Sequence, residues 1–108
     1  MIITEKQIGN KKVMPFTIPS GIVTTEVSCL ERIAREIPEI GILTTKSIGP
    51  EPRAGNREPI LAQYIPGGFV NAVGLTNPGA EEFAKKLSLI NFPKEKFLLA
   101  SIFGKNEE

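Results

Sequence analysis

The chain has 108 residues, 41% of them hydrophobic and 23% charged, which is the length and composition of one small globular domain. Its 13 basic and 12 acidic side chains almost cancel, so the sequence lacks the charge that binds nucleic acid or an anionic membrane. Because histidine is absent and there is one cysteine, histidine acid–base chemistry, an internal disulfide and a thiolate metal site are excluded.

Neither a membrane span nor a signal peptide is indicated. The longest apolar runs extend over only a few residues, and residues 1–13 contain no long apolar region. We therefore expect a cytoplasmic protein that makes no membrane contact.

The first predicted elements are a hairpin and a strand. Residues 7–14 surround a Gly9-Asn10 turn, which is typical of a short β-hairpin. Residues 16–23 mix apolar side chains with Ser20 and Gly21, which predicts a strand that ends in a tight turn.

A helix follows this strand. Thr24 or Thr25 is a suitable N-cap, Glu26 then lies in the first turn, and Pro38 ends the helix. Cys29 falls near the apolar face and is predicted to be a small core residue. The apolar residues at helical spacing are Val27, Leu30, Ile33, Ala34 and Ile37.

A buried strand, a loop and a second hairpin come next. Residues 40–45 form a short β-branched run, typical of a strand covered on both faces. Residues 48–57 are rich in glycine, proline and charge, which indicates a loop. Residues 60–64 and 69–72 flank a Pro-Gly-Gly turn and predict a hairpin.

The last predicted elements are a second helix and a final strand. Asn77 as N-cap, Pro78 at the first helical position, and Glu81 and Glu82 near the positive end predict where this helix begins. Residues 97–103 predict another buried strand. The residues of the predicted buried helix stripe are Phe83, Ala84, Leu87 and Ile90.

Without its hairpins, the chain alternates strand, helix, strand, helix, strand. This order predicts parallel strands joined by crossover helices. Two helices cannot cover both faces of a three-stranded parallel sheet, and both outer strands keep unpaired edges. We therefore interpret residues 1–108 as a single incomplete domain.

Lys46 is the sharpest candidate for a functional residue. It follows an apolar strand directly and therefore lies at the carboxyl end of that strand, where α/β folds bind ligands. A lysine there could neutralise an anionic ligand or a reduced cofactor. The alternative interpretation, a solvated lysine that ends a strand, is equally open on position alone.

Residues 71–79 form the second candidate. Glycines and polar side chains stand there between a strand and a helix, so backbone N–H groups can point at an anion. A turn with a helix cap is the alternative that the residues alone favour. A glycine-rich GxGxxG motif and a P-loop are both absent from the sequence.

Taken together, four segments resemble the dihydroorotate dehydrogenases and stand in that family's order. The Asn71-x-x-Gly74-Leu75-x-Asn77 motif, downstream of a Thr-Lys-Ser triplet, is the most specific of them. The resemblance covers nearly the whole chain. The segments are Pro15 with Ser20-Gly21, Thr44-Thr45-Lys46-Ser47, Arg53-Ala54-Gly55-Asn56 with Pro59, and the run from Phe69 to Gly79.

The resemblance implies the N-terminal part of a TIM (β/α)8 barrel, with about three parallel strands, two helices and two β-hairpins. Family members bind FMN and oxidise dihydroorotate to orotate in pyrimidine biosynthesis, with a proton leaving C5 and a hydride leaving C6 for the flavin. By matching position, the FMN contacts would be Ser20, Gly21, Lys46 and Ser47. The substrate contacts would be Lys46, Asn71, Val73, Gly74 and Leu75.

Two departures limit what the resemblance carries over. Pro19 stands where many relatives have alanine, so the backbone near the flavin can differ. The family's catalytic base, a cysteine or serine, lies beyond the segment that this chain matches, so no catalytic residue is expected here and the chain alone is expected to be inactive. Metal ligands are not expected either.

Expected partners are the remaining barrel segment or a second copy of the chain. Because the sequence is most similar to the branch that works with an iron–sulfur flavoprotein, such a subunit is a further expected partner. Two other functions stay open: a flavin barrel segment acting on another dihydropyrimidine, and a non-catalytic interaction module derived from the barrel.

Overall fold

The computed structural model describes residues 2–21 and 23–106, which form two helices and seven short strands. The strands are β1 (Lys6–Ile8), β2 (Lys11–Val13), β3 (Phe16–Ile18), β4 (Ile40–Thr44), β5 (Leu61–Ile65), β6 (Gly68–Asn71) and β7 (Phe97–Leu99). The helices are α1 (Val27–Glu36) and α2 (Ala80–Ser88).

The central sheet is parallel, as the alternating order predicts. Its strand order is β3-β4-β7, and Ile42 pairs with Thr17 on one side and Phe97 on the other. β1 pairs with β2 and β5 with β6 as two separate antiparallel hairpins, which confirms both hairpin predictions. This architecture is the expected partial barrel of three strands and two helices.

One apolar core holds the two helices against β4. Leu30 of α1 and Leu43 of β4 are fully buried, and Phe83 of α2 joins them. α1 contacts both β4 and α2. At roughly 1.5–3 kcal/mol for each large apolar side chain removed from water, these contacts supply the main stabilisation of the sheet.

Lys96, which directly precedes β7, bonds the segment around the start of β4. Its Nζ donates to the backbone carbonyls of Ile37, Pro38 and Ile40, and the residue is only 7% exposed. Burial of a charged lysine is tolerated here because three carbonyl oxygens satisfy its three donors. Lys11 donates in turn to the Lys96 carbonyl over 2.7 Å, which attaches the first hairpin to the sheet.

The outer strands are shorter than the sequence predicts, and the last one is not the buried strand that residues 97–103 predict. β3 covers only part of the predicted strand 16–23, of which Ile22 lies outside the described residues. β7 ends at Leu99, and Ile102, in the predicted buried strand 97–103, is 81% exposed. That prediction was wrong in length and burial, because no strand of the described chain pairs with the outer edge of β7.

Both predicted helix starts need correction. α1 has Glu26 as its N-cap, so Glu26 does not lie in the first turn, and the buried Thr24 hydroxyl instead accepts a bond from the Gly21 amide. α2 has Gly79 as its N-cap and begins at Ala80, so Asn77 and Pro78 precede it. Glu81 and Glu82 do lie in the first turn of α2, as predicted.

Three residues predicted to be buried are exposed. Cys29 faces solvent and is not a core residue. Ala84 is exposed on α2, and Ile37 is the exposed C-cap of α1. Periodicity correctly selected the apolar side of each helix but extended it by positions that the short sheet does not reach.

Candidate functional site

The carboxyl ends of the three parallel strands meet at one edge of the sheet. Ser20 and Gly21 follow β3, Lys46 and Ser47 follow β4, and Ser101 follows β7. Ser47 Oγ lies 3.3 Å from Ser20 Oγ and 2.8 Å from Ser101 Oγ, so hydrogen-bonded hydroxyl groups link all three strands. The Lys46 amide donates to the Thr24 carbonyl, which fixes the backbone beside this chain of hydroxyls.

Lys46 is half-buried and its charge has no carboxylate partner within 4 Å in the described chain. Lys46 and Lys86 both line a second cavity, of about 190 Å³, but Lys86 has a carboxylate partner. Lys86 Nζ lies 3.0 Å from Glu82 Oε1, and this hydrogen bond and the charge of Glu82 raise the pKa of Lys86, with Glu26 adding to the effect. Of the two cations, Lys46 is therefore the one available to a ligand.

The second part of the site is a backbone segment, residues 72–75, which we term the amide ridge. Its successive carbonyls accept hydrogen bonds from neighbouring groups: Asn56 Nδ2 to Ala72 O at 2.7 Å, Asn56 N to Val73 O at 3.0 Å, and Arg53 Nε to Gly74 O at 2.8 Å. In a trans peptide the N–H points opposite to the C=O. The amides of residues 73–75 therefore point away from the loop that holds the carbonyls.

Two glycines allow residues 53–56 and the amide ridge to approach each other closely. Gly74 has φ +85°, and a Cβ there would lie 2.8 Å from Asn56 Nδ2 and 2.9 Å from the Asn56 backbone nitrogen. Gly55 has φ +78°, and a Cβ there would lie 2.5 Å from the Val73 carbonyl oxygen. Leu75 also has a positive φ, 58°, which neighbouring contacts must stabilise because non-glycine residues rarely adopt it.

The strand ends and the amide ridge line one open cleft of about 590 Å³. All eight residues predicted as cofactor or substrate contacts line it, although their roles stay predictions. Asn56 and Ala72 also line it and were not among the predicted contacts. The predicted contacts are Ser20, Gly21, Lys46, Ser47, Asn71, Val73, Gly74 and Leu75.

The side chains and amides that line this cleft suit an anionic ligand. Lys46 supplies positive charge, the amides of residues 73–75 supply donors for a carboxylate or phosphate, and the exposed Asn71 supplies an amide beside them. Lys46 is the single ionisable side chain among the described residues that line it. The cleft can therefore bind and orient a ligand, and it offers no carboxylate, cysteine or histidine as a base.

Two other kinds of feature are absent from the described residues. His, Cys, Asp and Glu side chains nowhere gather in a group of three that could hold a metal ion. Neither of the helices that the structure describes is long and apolar enough to cross a membrane.

Comparison with known proteins identifies relatives along the whole chain. The sequence model of the dihydroorotate dehydrogenase family matches residues 2–108. The chain is 37% identical over 97 residues to the catalytic subunit of dihydroorotate dehydrogenase B (NAD(+)) from Methanocaldococcus jannaschii, which is 87% of this chain and 31% of that protein. It is 41% identical over 103 residues to the same subunit from Pyrococcus abyssi, or 93% of this chain and 32% of that protein.

The Archaeoglobus fulgidus subunit of the same name is 37% identical over 105 residues, which is 96% of this chain and 33% of that protein. The chain thus spans about a third of the length of the curated relatives that it matches.

Proposed function

Because the chain belongs to the dihydroorotate dehydrogenase family, we propose that it forms the N-terminal part of the FMN-binding barrel of a cytoplasmic enzyme that oxidises dihydroorotate to orotate in pyrimidine biosynthesis. The family has the TIM-barrel fold, and the parallel sheet with its two helices is the corresponding part of that barrel. In this proposal the chain supplies one wall of the cofactor and substrate site.

The observation that carries the proposal is the position of the cleft. It lies at the carboxyl ends of parallel strands, and TIM-barrel enzymes place their active sites at this face of the barrel. Lys46 precedes the loop of residues 48–60 in the chain and the amide ridge comes after it, yet both line this cleft. A surface lysine that merely ended a strand would not need this convergence.

A flavin fits the residues at the strand ends. Gly21 lies beside Lys46, since a Cβ built there would make an ordinary van der Waals contact with Lys46 Nζ at 3.9 Å. Ser20 and Ser47 add hydroxyl groups that can donate or accept hydrogen bonds. Bound FMN would supply the acceptor for the hydride that leaves the substrate. Ser20, Gly21, Lys46 and Ser47 would hold it, with the Lys46 charge favouring an anionic flavin ring.

The substrate would lie between Lys46 and the amide ridge. The amides of Val73, Gly74 and Leu75 would bind its carboxylate, and Asn71 would bind the polar edge of its planar ring. These contacts orient the substrate carbon that loses the hydride. The general base is not assigned to this chain, because Lys46 is the single ionisable group in the described cleft and carries a positive charge.

The proposal includes two protein partners. The first is the rest of the barrel, which would pair with the exposed edges of β3 and β7. The second is an iron–sulfur flavoprotein subunit, which the family resemblance implies. The relatives are named catalytic subunits, and such a name is given to one component of an assembly.

A hybrid protein tests the proposal. In it, this chain replaces the matching third of the Pyrococcus abyssi catalytic subunit, and the purified hybrid is assayed for bound flavin and for dihydroorotate oxidation. We expect both. A folded hybrid that holds no flavin would contradict the proposal and favour a non-catalytic interaction module. A flavin-bound hybrid that oxidises another dihydropyrimidine and not dihydroorotate would support the proposed role of the chain in the flavin barrel and would contradict the proposed substrate.

A further inference from the structure

The amide ridge needs an external anchor to keep its donors available. Gly74 is the residue with the widest backbone freedom, and Leu75 holds a left-handed conformation that its side chain disfavours. Rotation of the peptide between Val73 and Gly74 would exchange the directions of its C=O and its N–H at little cost, because glycine accepts φ of either sign. At this peptide, the ridge by itself therefore has little preference for the direction in which the amide points.

Arg53 and Asn56 supply that anchor. Asn56 makes two bonds to consecutive carbonyls, from its side chain to Ala72 and from its backbone to Val73, and Arg53 Nε bonds the third carbonyl, that of Gly74. The Arg53 backbone also exchanges two hydrogen bonds with Asn77, at 2.9 and 3.0 Å. Because each carbonyl is held on the side of residues 53–56, each following amide is held on the other side.

We infer that Asn56 and Arg53 are positioning residues that fix the amide ridge so that its N–H groups bind a carboxylate. The inference rests on the proposed function for the identity of that carboxylate. The geometry requires a donor at position 56: an aspartate of the same size has no N–H to give to the Ala72 carbonyl. The side chain of Arg53 is exposed and meets the ridge through Nε, so its loss removes one anchor without a buried cavity.

Hydrogen exchange measured by mass spectrometry on the full chain tests this role. The probes are orotate, which carries a carboxylate, and uracil, which has the same ring without it. In the wild-type chain, we expect orotate to slow exchange in residues 71–77 and uracil to have no effect. Asn56→Ala should speed exchange there about fivefold without ligand, the factor typical of one lost hydrogen bond, and should abolish the orotate effect.

Matched variants separate positioning from general destabilisation. Asn91→Ala, at an exposed residue outside the cleft, should leave both measurements at wild-type values. Asn56→Asp should behave like Asn56→Ala, and Arg53→Met should show the same local change, which keeps the test available if Asn56 variants fail to fold. In the hybrid enzyme, Asn56→Ala should raise the dihydroorotate KM about tenfold at unchanged flavin content.

Wild-type exchange and wild-type orotate protection in Asn56→Ala would overturn the inference, as would equal acceleration across the whole chain. If orotate protects nothing in the wild-type chain, the proposed substrate site fails. The exchange rates without ligand then still decide whether Asn56 holds the ridge.

Discussion

Replacement of Gly74 by alanine should be far more costly than the same change at Gly67, although both have left-handed backbones. Gly67 has φ +78° in the tip of the second hairpin, and a Cβ there would meet no atom within 4 Å. Gly67→Ala should therefore cost only the left-handed strain, about 1–2 kcal/mol. Gly74→Ala carries the same strain and in addition places its Cβ 2.9 Å from the Asn56 backbone nitrogen.

That contact cannot be relieved by a side-chain rotation, because the backbone nitrogen of Asn56 is itself bonded to the Val73 carbonyl. Overpacking of this kind costs about 1–3 kcal/mol, so Gly74→Ala should lower the free energy of unfolding by about 2–5 kcal/mol. Urea unfolding of both variants, followed by circular dichroism at one protein concentration, gives the difference directly. Equal losses for the two variants would refute the close approach of residues 53–56 to the amide ridge.

Three further predictions concern the site and the open edges. In the hybrid enzyme, Lys46→Ala should lower flavin content and raise KM, whereas Lys12→Ala, in the first hairpin, should change neither; wild-type kinetics for Lys46→Ala would restore the solvated-lysine interpretation. Asn71→Ala should weaken orotate binding by about tenfold or more, the value of one lost hydrogen bond to a charged ligand, as measured by calorimetry; an unchanged dissociation constant removes Asn71 from the site. The isolated chain should self-associate or bind a dye for apolar surface, because among the described residues β3 and β7 each have an unpaired edge, and Phe16 is 45% exposed. A monomer in sedimentation equilibrium that binds no dye would argue against this.

The parts of the fold that the sequence predicts well are those fixed by local patterns. β4 is a continuous apolar run that must be buried, so the sequence pattern alone locates its end and, with it, Lys46. Both hairpins have turn sequences with glycine at positions where φ is positive, Gly9 and Gly67, and both form as predicted.

The parts that fail depend on contacts between distant segments. Asparagine is a residue type that often serves as an N-cap. The Asn77 Oδ1 atom instead accepts hydrogen bonds from Gly79 N at 2.9 Å and from Gly49 N at 3.2 Å, so Asn77 joins the loop after β4 to the segment before α2. Both roles, capping a helix and bonding a distant loop, use the same side-chain oxygen as acceptor. The local sequence therefore cannot distinguish them, and the tertiary fold determines which one occurs. The burial predicted for Cys29 fails similarly, since no element of the described chain covers that side of α1.

The residues alone gave two separate candidates, Lys46 and residues 71–79, and only the family resemblance predicted that they form one site. The contact that holds the second candidate in place is one that no periodicity reveals. Asn56 was visible only as part of a matching segment, while its side chain bonds the ridge at a residue 16 positions away in the chain. A glycine beside an asparagine, as in Gly55-Asn56, is the one local signal that could have indicated a tight loop contact there.

A crystal structure of the hybrid enzyme with FMN and orotate tests the central claim most directly. The account predicts that the orotate carboxylate accepts hydrogen bonds from the amides of residues 73–75, with Lys46 Nζ between the ligand and the flavin. Orotate bound elsewhere in the barrel, or Lys46 turned to solvent with both ligands present, would contradict it.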